Sequence, residues 1–225
     1  MITVSALMPT YNRQEFIPRA ISGFFAQEIP TDWTVELIVL DDGDSIKDLL
    51  PEDPRIKYFH NPNHKYNHGT KINICCEQAT GEYLIVWDDD DVYAKDRIVR
   101  QIQPMIDRPE ILITGSSTLF YYRLDTRQAY QYTSPPTVGW LASIAWRKAT
   151  WENMKFDHIA AGADFSFLKR IPQEARLDLN DPNLIIASIH STNASKKSLG
   201  KEYKPVPWET VQGFLEKSTT QTTLM

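Results

Sequence analysis

The chain has 225 residues, enough for one sizeable core, with 42% hydrophobic and 24% charged residues, a balance that excludes a disordered protein. No apolar run approaches the ~20 residues of a membrane-spanning helix. A formal net charge of -5 argues against a partner gripped by its phosphates over a wide surface.

Met1 to Met8 has no basic leader and runs straight into a strand pattern, so no signal peptide is expected. The expected location is cytoplasmic, at most peripheral at a membrane. The two cysteines, Cys75 and Cys76, are sequence neighbours and poor disulfide partners; they read as small buried apolar residues.

Val4 to Met8 predicts a buried strand ended by Pro9. Asn12 is placed to cap the next helix, whose apolar stripe is Ile17, Ala20, Ile21, Phe24 and Phe25. Val35 to Leu40, apolar except for Glu36, predicts a second core strand ending in Asp41-Asp42-Gly43-Asp44. Arg55 to Phe59 reads as a third strand, and Gly69 to Gln78 as a helix with Ile72, Cys75, Cys76 and Ala79 on one face. Tyr83 to Trp87 is another strand and runs directly into Asp88-Asp89-Asp90-Asp91. A helix carrying Ile98, Ile102, Met105 and Ile106 follows. This alternation implies an α/β fold with a mostly parallel sheet flanked by helices.

The second half predicts a small antiparallel hairpin over residues 118–132 turning at Leu124-Asp125-Thr126, then an aromatic-rich loop opened by Pro135-Pro136. A short helix over Gly162 to Arg170 and a last strand over Leu184 to Ile189 complete the pattern, and residues 219–225 read as a polar tail. With no repeats and no linker, one domain is expected: a nucleotide-binding half (1–115), an acceptor half (116–195) and a C-terminal extension (196–225).

Ligands of open α/β sheets lie beyond the carboxyl ends of the parallel strands. Three predicted strands end there in polar clusters: Thr10 to Arg13, Asp41-Asp42, and Asp88 to Asp91. Four adjacent aspartates need solvation or a counter-charge. An isolated run of this kind is commonly a solvated turn, but this one begins where a buried strand emerges. A hard divalent cation, Mn2+ or Mg2+, shared with substrate phosphates is the natural partner, and Asp88 and Asp90 are placed to reach it. The residues alone thus reach a nucleotide-diphosphate site with a metal, without selecting a reaction.

These residues resemble the inverting GT-A-fold glycosyltransferases of the family 2 type, over roughly residues 4–195. Met8-Pro9-Thr10-Tyr11-Asn12-Arg13 is similar to that family's opening nucleotide-holding segment, and Leu40 to Ser45 to its D-D-G-S element. Gly69 to Asn73 with Ala79 to Tyr83 resembles the stretch before the metal motif, and Trp87 to Asp91 takes that motif's place. The resemblance implies that Pro9, Thr10, Tyr11, Asn12, Arg13, Asp41, Asp42, Asp88 and Asp89 belong to the nucleotide site. Within it, Asp41 is the base contact, Asp88 the ribose neighbour and Asp91 the loop brace.

It further implies that Asp90 binds the metal together with His190, from a closing His190-Ser191-Thr192-Asn193-Ala194-Ser195 element. Asp164, in Ala163 to Arg170, takes the place of the family's catalytic base. Ala163 departs from the pattern, which usually has Glu there. The implied reaction is displacement at the anomeric carbon of a nucleotide sugar, UDP-linked by expectation, with inversion.

Lys71 and Arg13 are diphosphate-contact candidates, weighed against exposed helix-start charges. Lys196, Lys197, Lys201 and Lys204 are read as a solvated basic loop rather than a flap. Trp140, Trp146 and Trp151 are candidates for an acceptor wall, with core packing expected for at least one. His64 and His68 are read as incidental. The acceptor stays open among a glycan, a lipid-linked sugar, a protein side chain and a modified nucleobase. The alternatives are a nucleotidyltransferase acting on sugar phosphates and a non-catalytic nucleotide- or carbohydrate-binding module of the same fold.

Overall fold

The computed structural model describes residues 1–123, 125–135, 139, 141–193 and 199–219. Its first half runs β1 (Ile2–Thr10), α1 (Ile17–Phe25), β2 (Trp33–Asp41), β3 (Ile56–His60), α2 (His68–Gln78) and β4 (Tyr83–Val86). β1 lies between β2 and β4 and pairs in parallel with both, while β3 pairs in parallel with β2. Val4, Ala6, Leu7 and Met8 are buried together, as a parallel strand covered on both faces requires.

Register sets where these strands stop. Thr10 stands opposite Asp41, so the polar ends of β1 and β2 meet. Pro9 does not end β1 as expected; its fixed φ suits the last residues of a strand, which continues to Thr10. Nor does Asn12 cap α1. It adopts a left-handed φ of 50°, and the helix is preceded by Phe16, with Pro18 in its first turn.

The second half runs β5 (Val92–Tyr93), α3 (Arg97–Asp107), β6 (Ile113–Ser116), β7 (Thr118–Arg123), β8 (Ala129–Thr133), β9 (Ala142–Arg147) and α4 (Lys148–Asn153). It continues through α5 (Ala163–Arg170), β10 (Arg176–Asp178), β11 (Ile185–Ile189), β12 (Tyr203–Val206) and α6 (Glu209–Thr219). Among the described residues the strands form a seven-stranded sheet, β10-β6-β9-β4-β1-β2-β3, and a five-stranded one, β12-β8-β7-β11-β5. The larger sheet is parallel from β3 to β4, but β9 enters antiparallel to both β4 and β6. The expected hairpin is real as β7 and β8 and belongs to the five-stranded second sheet; Leu124 of its turn lies outside the described residues. α6 was not foreseen, because its apolar positions are sparse.

The tryptophan wall is corrected. Trp146 lies on β9, fully buried against Phe156 and Phe167, and Trp151 on α4 is 4% exposed with its Nε1 donating to Asn73 Oδ1 at 2.8 Å. Both are core residues, because β9 occupies an interior position in the sheet where a side chain meets helices on either face. Trp140, Lys196 and Lys197 lie outside the described residues. No helix among the described residues is long and apolar enough to cross a membrane.

Candidate functional site

The carboxyl ends of β1, β2 and β4 open onto a cleft of 540 Å³, a size suited to a substantial ligand. One wall is the end of β1 and the segment that follows it. Pro9, Thr10, Tyr11 and Arg13 line the cleft, whereas Asn12 turns away and its Oδ1 accepts from the Asp44 amide at 2.7 Å. Gly43 is required by this approach: a Cβ there would stand 2.7 Å from the Asn12 nitrogen and would also meet Asn12 Oδ1. The segments after β1 and β2 are thereby locked together.

Asp41, the expected base contact, is fully buried. Its oxygens accept from the Gly43 amide at 2.9 Å and the Tyr58 hydroxyl at 2.8 Å, so it closes the turn after β2. Asp42 lines the cleft instead, accepting from the Tyr66 amide at 2.8 Å and pairing with Lys71. Lys71 also donates to the Thr10 carbonyl at 3.0 Å and is buried. It is therefore no exposed helix-start charge. Tyr11 lies under the ammonium groups of Lys65 and Lys71, at 4.7 and 5.4 Å from its ring centre.

The four aspartates have different surroundings, although Asp89 and Asp90 share Arg13. Trp87 anchors the run from below, buried in the core with its Nε1 donating to the Ala20 carbonyl at 3.2 Å. Asp88 lines the cleft and is only half-buried, yet its surroundings and the charges of Asp90 and Asp89 push its carboxyl up to about 7. Asp89 is turned inward, accepting from Thr10 Oγ1 at 2.6 Å and Arg13 at 2.8 Å. Burial raises its pKa, and it is not among the cleft-lining residues. Asp89 thus braces the β1 segment from behind.

Asp90 faces the cleft, and His190 Nε2 lies 3.0 Å from its Oδ2. Arg13 at 2.9 Å and Asn193 at 3.3 Å reach the same oxygen. Burial alone would raise the Asp90 pKa, but the His190 hydrogen bond and the Arg13 charge outweigh it and hold the carboxyl below its ordinary value. Asp91 braces the loop, accepting from the Ser188 amide at 3.0 Å. Arg19 and Ser188 hold the Asp90 carbonyl at 2.6 and 2.7 Å. Arg19 gave no sequence signal, because an arginine on a helix reads as a solvated face.

Asp164 lines the cleft from the second position of α5, just after Gly162 with φ 76°. α2 holds the segment leading there. The Gly69 amide donates to the Ile159 carbonyl at 3.1 Å, and Asn73 exchanges hydrogen bonds with the Phe156 backbone at 2.9 and 3.0 Å. Ala163 is fully buried, and its Cβ would lie 3.1 Å from a Cβ on Gly69. A Glu in that place has no room between α2 and α5. His68, read as incidental, opens α2 and lines the cleft. Burial lowers its pKa, against an opposing pull from Asp164.

A divalent cation fits only in part. Among the described residues no group of three or more His, Cys, Asp or Glu is arranged to hold one. Asp90 and His190 supply two donors, as in sites completed by substrate phosphates. Without a cation Nε2 carries the proton that Asp90 accepts; the other tautomer, with Nδ1 donating to Thr192 Oγ1 2.8 Å away, would leave the Nε2 lone pair for a cation.

The profile described as Glycosyl transferase family 2 matches residues 5–170. A curated relative, the GalNAc(5)-diNAcBac-PP-undecaprenol beta-1,3-glucosyltransferase of Campylobacter jejuni, is 36% identical over 97 residues, 40% of this chain and 30% of that protein. The chain therefore matches less than a third of that relative's length. Two solved structures share the fold. Staphylococcus aureus TarS 1-349 in complex with UDP has a TM-score of 0.63 at 17% identity, covering 84% of this chain and 61% of that one. The mannosyltransferase PcManGT from Pyrobaculum calidifontis, in complex with GDP-Man and Mn2+, has a TM-score of 0.64 at 15% identity, covering 83% and 56%. The fold is of the GT-A type.

Proposed function

Since the chain belongs to glycosyl transferase family 2, we propose that it transfers a sugar from a nucleotide-diphosphate sugar, UDP-linked, to an acceptor hydroxyl with inversion. The observation that carries this reading is that Asp90, paired with His190 at 3.0 Å, lines the same cleft as Asp164. The two ends divide the work. Asp164 accepts the proton of the acceptor hydroxyl as its oxygen attacks the anomeric carbon. The departing UDP is received by Arg13, Lys71 and the backbone after β1. A cation held by Asp90 and His190 supplies charge neutralisation for the diphosphate.

Asp42, rather than Asp41, takes the base contact in this account, because Asp42 faces the cleft. Asp88 is the ribose neighbour. The UDP and GDP-Man complexes of the two structural neighbours support a nucleotide donor, and the Mn2+ of one supports a divalent cation. The undecaprenol-linked substrate in the Campylobacter relative's name supports a glycan or lipid-linked sugar as acceptor, ahead of a protein or a nucleobase.

Incubation with UDP-sugars and Mn2+ tests the reading. Release of UDP with sugar transfer, or slow sugar hydrolysis without acceptor, is expected. Release of pyrophosphate from UTP and a sugar 1-phosphate in a parallel incubation would make the protein a nucleotidyltransferase, and the absence of transfer, hydrolysis and pyrophosphate release would leave a binding module.

A further inference from the structure

Ser143 sits where β9 borders the cleft and departs from strand geometry. Its φ is 53°, in the left-handed region that disfavours a side chain. The β6–β9 ladder explains how this arises. Thr114 pairs with Ala145 and Ser116 with Ala142, so Ser143 and Ile144 together oppose the single Gly115. This is a β-bulge, a device that re-aims a side chain, and such bulges cluster beside active sites.

The bulge is built in from both sides. Gly115 makes room for it: a Cβ there would stand 2.8 Å from Leu141 Cβ and 3.0 Å from the Ala142 carbonyl oxygen. From α3, Gln101 Nε2 donates to the Ser143 carbonyl at 2.7 Å, and the buried Arg97 reaches it at 3.4 Å. Strain of this kind persists only where the surroundings over-determine it.

Ser143 lines the cleft, as do Leu119, Ala142, Ile185, Ala187 and Asp88. Its Oγ is buried and has no hydrogen-bond partner among the described residues, while the residue as a whole is half-buried. One change of χ1 rotamer separates that unpaired position from others. The cleft lining therefore combines a residue whose hydroxyl wants a partner with several aliphatic side chains, and it also carries Asp88 of the acidic run that marks the leaving-group side.

We propose that the Ser143 bulge seats the transferred sugar and selects a donor whose sugar carries an acetamido group. The proposal rests on the nucleotide-sugar reading above. Ser143 Oγ, turned into the cleft, donates to the amide carbonyl, and the methyl group packs against Leu119, Ala142 and Ala187. A sugar with a bare hydroxyl in that place leaves the aliphatic wall uncovered.

Calorimetric binding of UDP, UDP-glucose, UDP-N-acetylglucosamine and UDP-N-acetylgalactosamine to the full chain in Mn2+ tests this, with wild type and Ser143→Gly. Glycine accepts a positive φ, so the variant keeps the bulge and loses only the hydroxyl and Cβ. At least one acetamido donor is expected to bind about tenfold tighter than UDP-glucose. In Ser143→Gly that preference falls, with UDP itself bound as in wild type. Equal binding of UDP-glucose and both acetamido donors to the wild type overturns the proposal, as does an unchanged preference in Ser143→Gly. Failure of UDP itself to bind overturns instead the donor reading on which the proposal stands.

Discussion

His190 Nε2 lies 3.0 Å from Asp90 Oδ2 although 100 residues of chain separate the two. β11 delivers the histidine: it pairs in parallel with β7 and antiparallel with β5, which immediately follows the acidic run. Ser188, near its end, holds both the Asp90 carbonyl and the Asp91 carboxylate. His190→Ala is expected to raise the Mn2+ concentration needed for half-maximal UDP binding by about tenfold or more. UDP binding titrated against Mn2+ measures this, and an unchanged midpoint removes His190 from the site.

Asp164→Asn is expected to slow sugar transfer by about 10²–10⁴-fold while UDP affinity holds within about twofold. Turnover and calorimetric binding on the same preparation separate the two effects. Loss of both together contradicts the assignment of Asp164 as the base.

Glu36, the one charge in the apolar run of β2, accepts from Ser5 Oγ at 2.6 Å and from the Thr80 amide at 2.6 Å, and pairs with Lys57 at 2.5 Å. Burial would raise its pKa, but the bonds from Lys57, Ser5 and Thr80 outweigh it and lower the value. A lowered folded pKa contributes stability above the unfolded value of 4.5 and loses it as pH falls through the folded one. Glu36→Gln is expected to cost about 1–3 kcal/mol at neutral pH, a deficit that shrinks as pH falls below 4.5 toward the folded value. Chemical denaturation at several pH values checks this.

Gly43→Ala forces the segments after β1 and β2 apart, because the added Cβ meets backbone at 2.7 Å. A destabilisation of about 1–3 kcal/mol is expected, with weaker UDP binding. Thermal unfolding with and without UDP reads both, and a variant indistinguishable from wild type would show that the two segments are not locked.

Much of the α/β half was legible because its strands are continuous apolar runs that stop at polar clusters, so Asp88 to Asp91 and Thr10 to Arg13 mark strand ends in the sequence itself. The choice between Asp41 and Asp42 was not, since adjacent residues at a strand end face opposite ways and only the three-dimensional turn decides. Trp146 misled because an aromatic residue suits a buried antiparallel strand as well as a ligand wall, and Pro135-Pro136 suggested a loop nearby. His68 carried no periodic signal. Ser143 was invisible for a different reason: its bulge is enforced by Gly115, Gln101 and Arg97, none of them its neighbour in sequence.

Calorimetric titration of UDP with Mn2+ and with chelator, on wild type and Asp90→Ala, tests the central claim most directly. Wild type is expected to bind UDP at least about tenfold tighter with Mn2+, and Asp90→Ala to lose that dependence. Equal affinity in chelator, or Mn2+-dependent binding that survives in Asp90→Ala, would contradict a nucleotide site completed by a cation on Asp90 and His190.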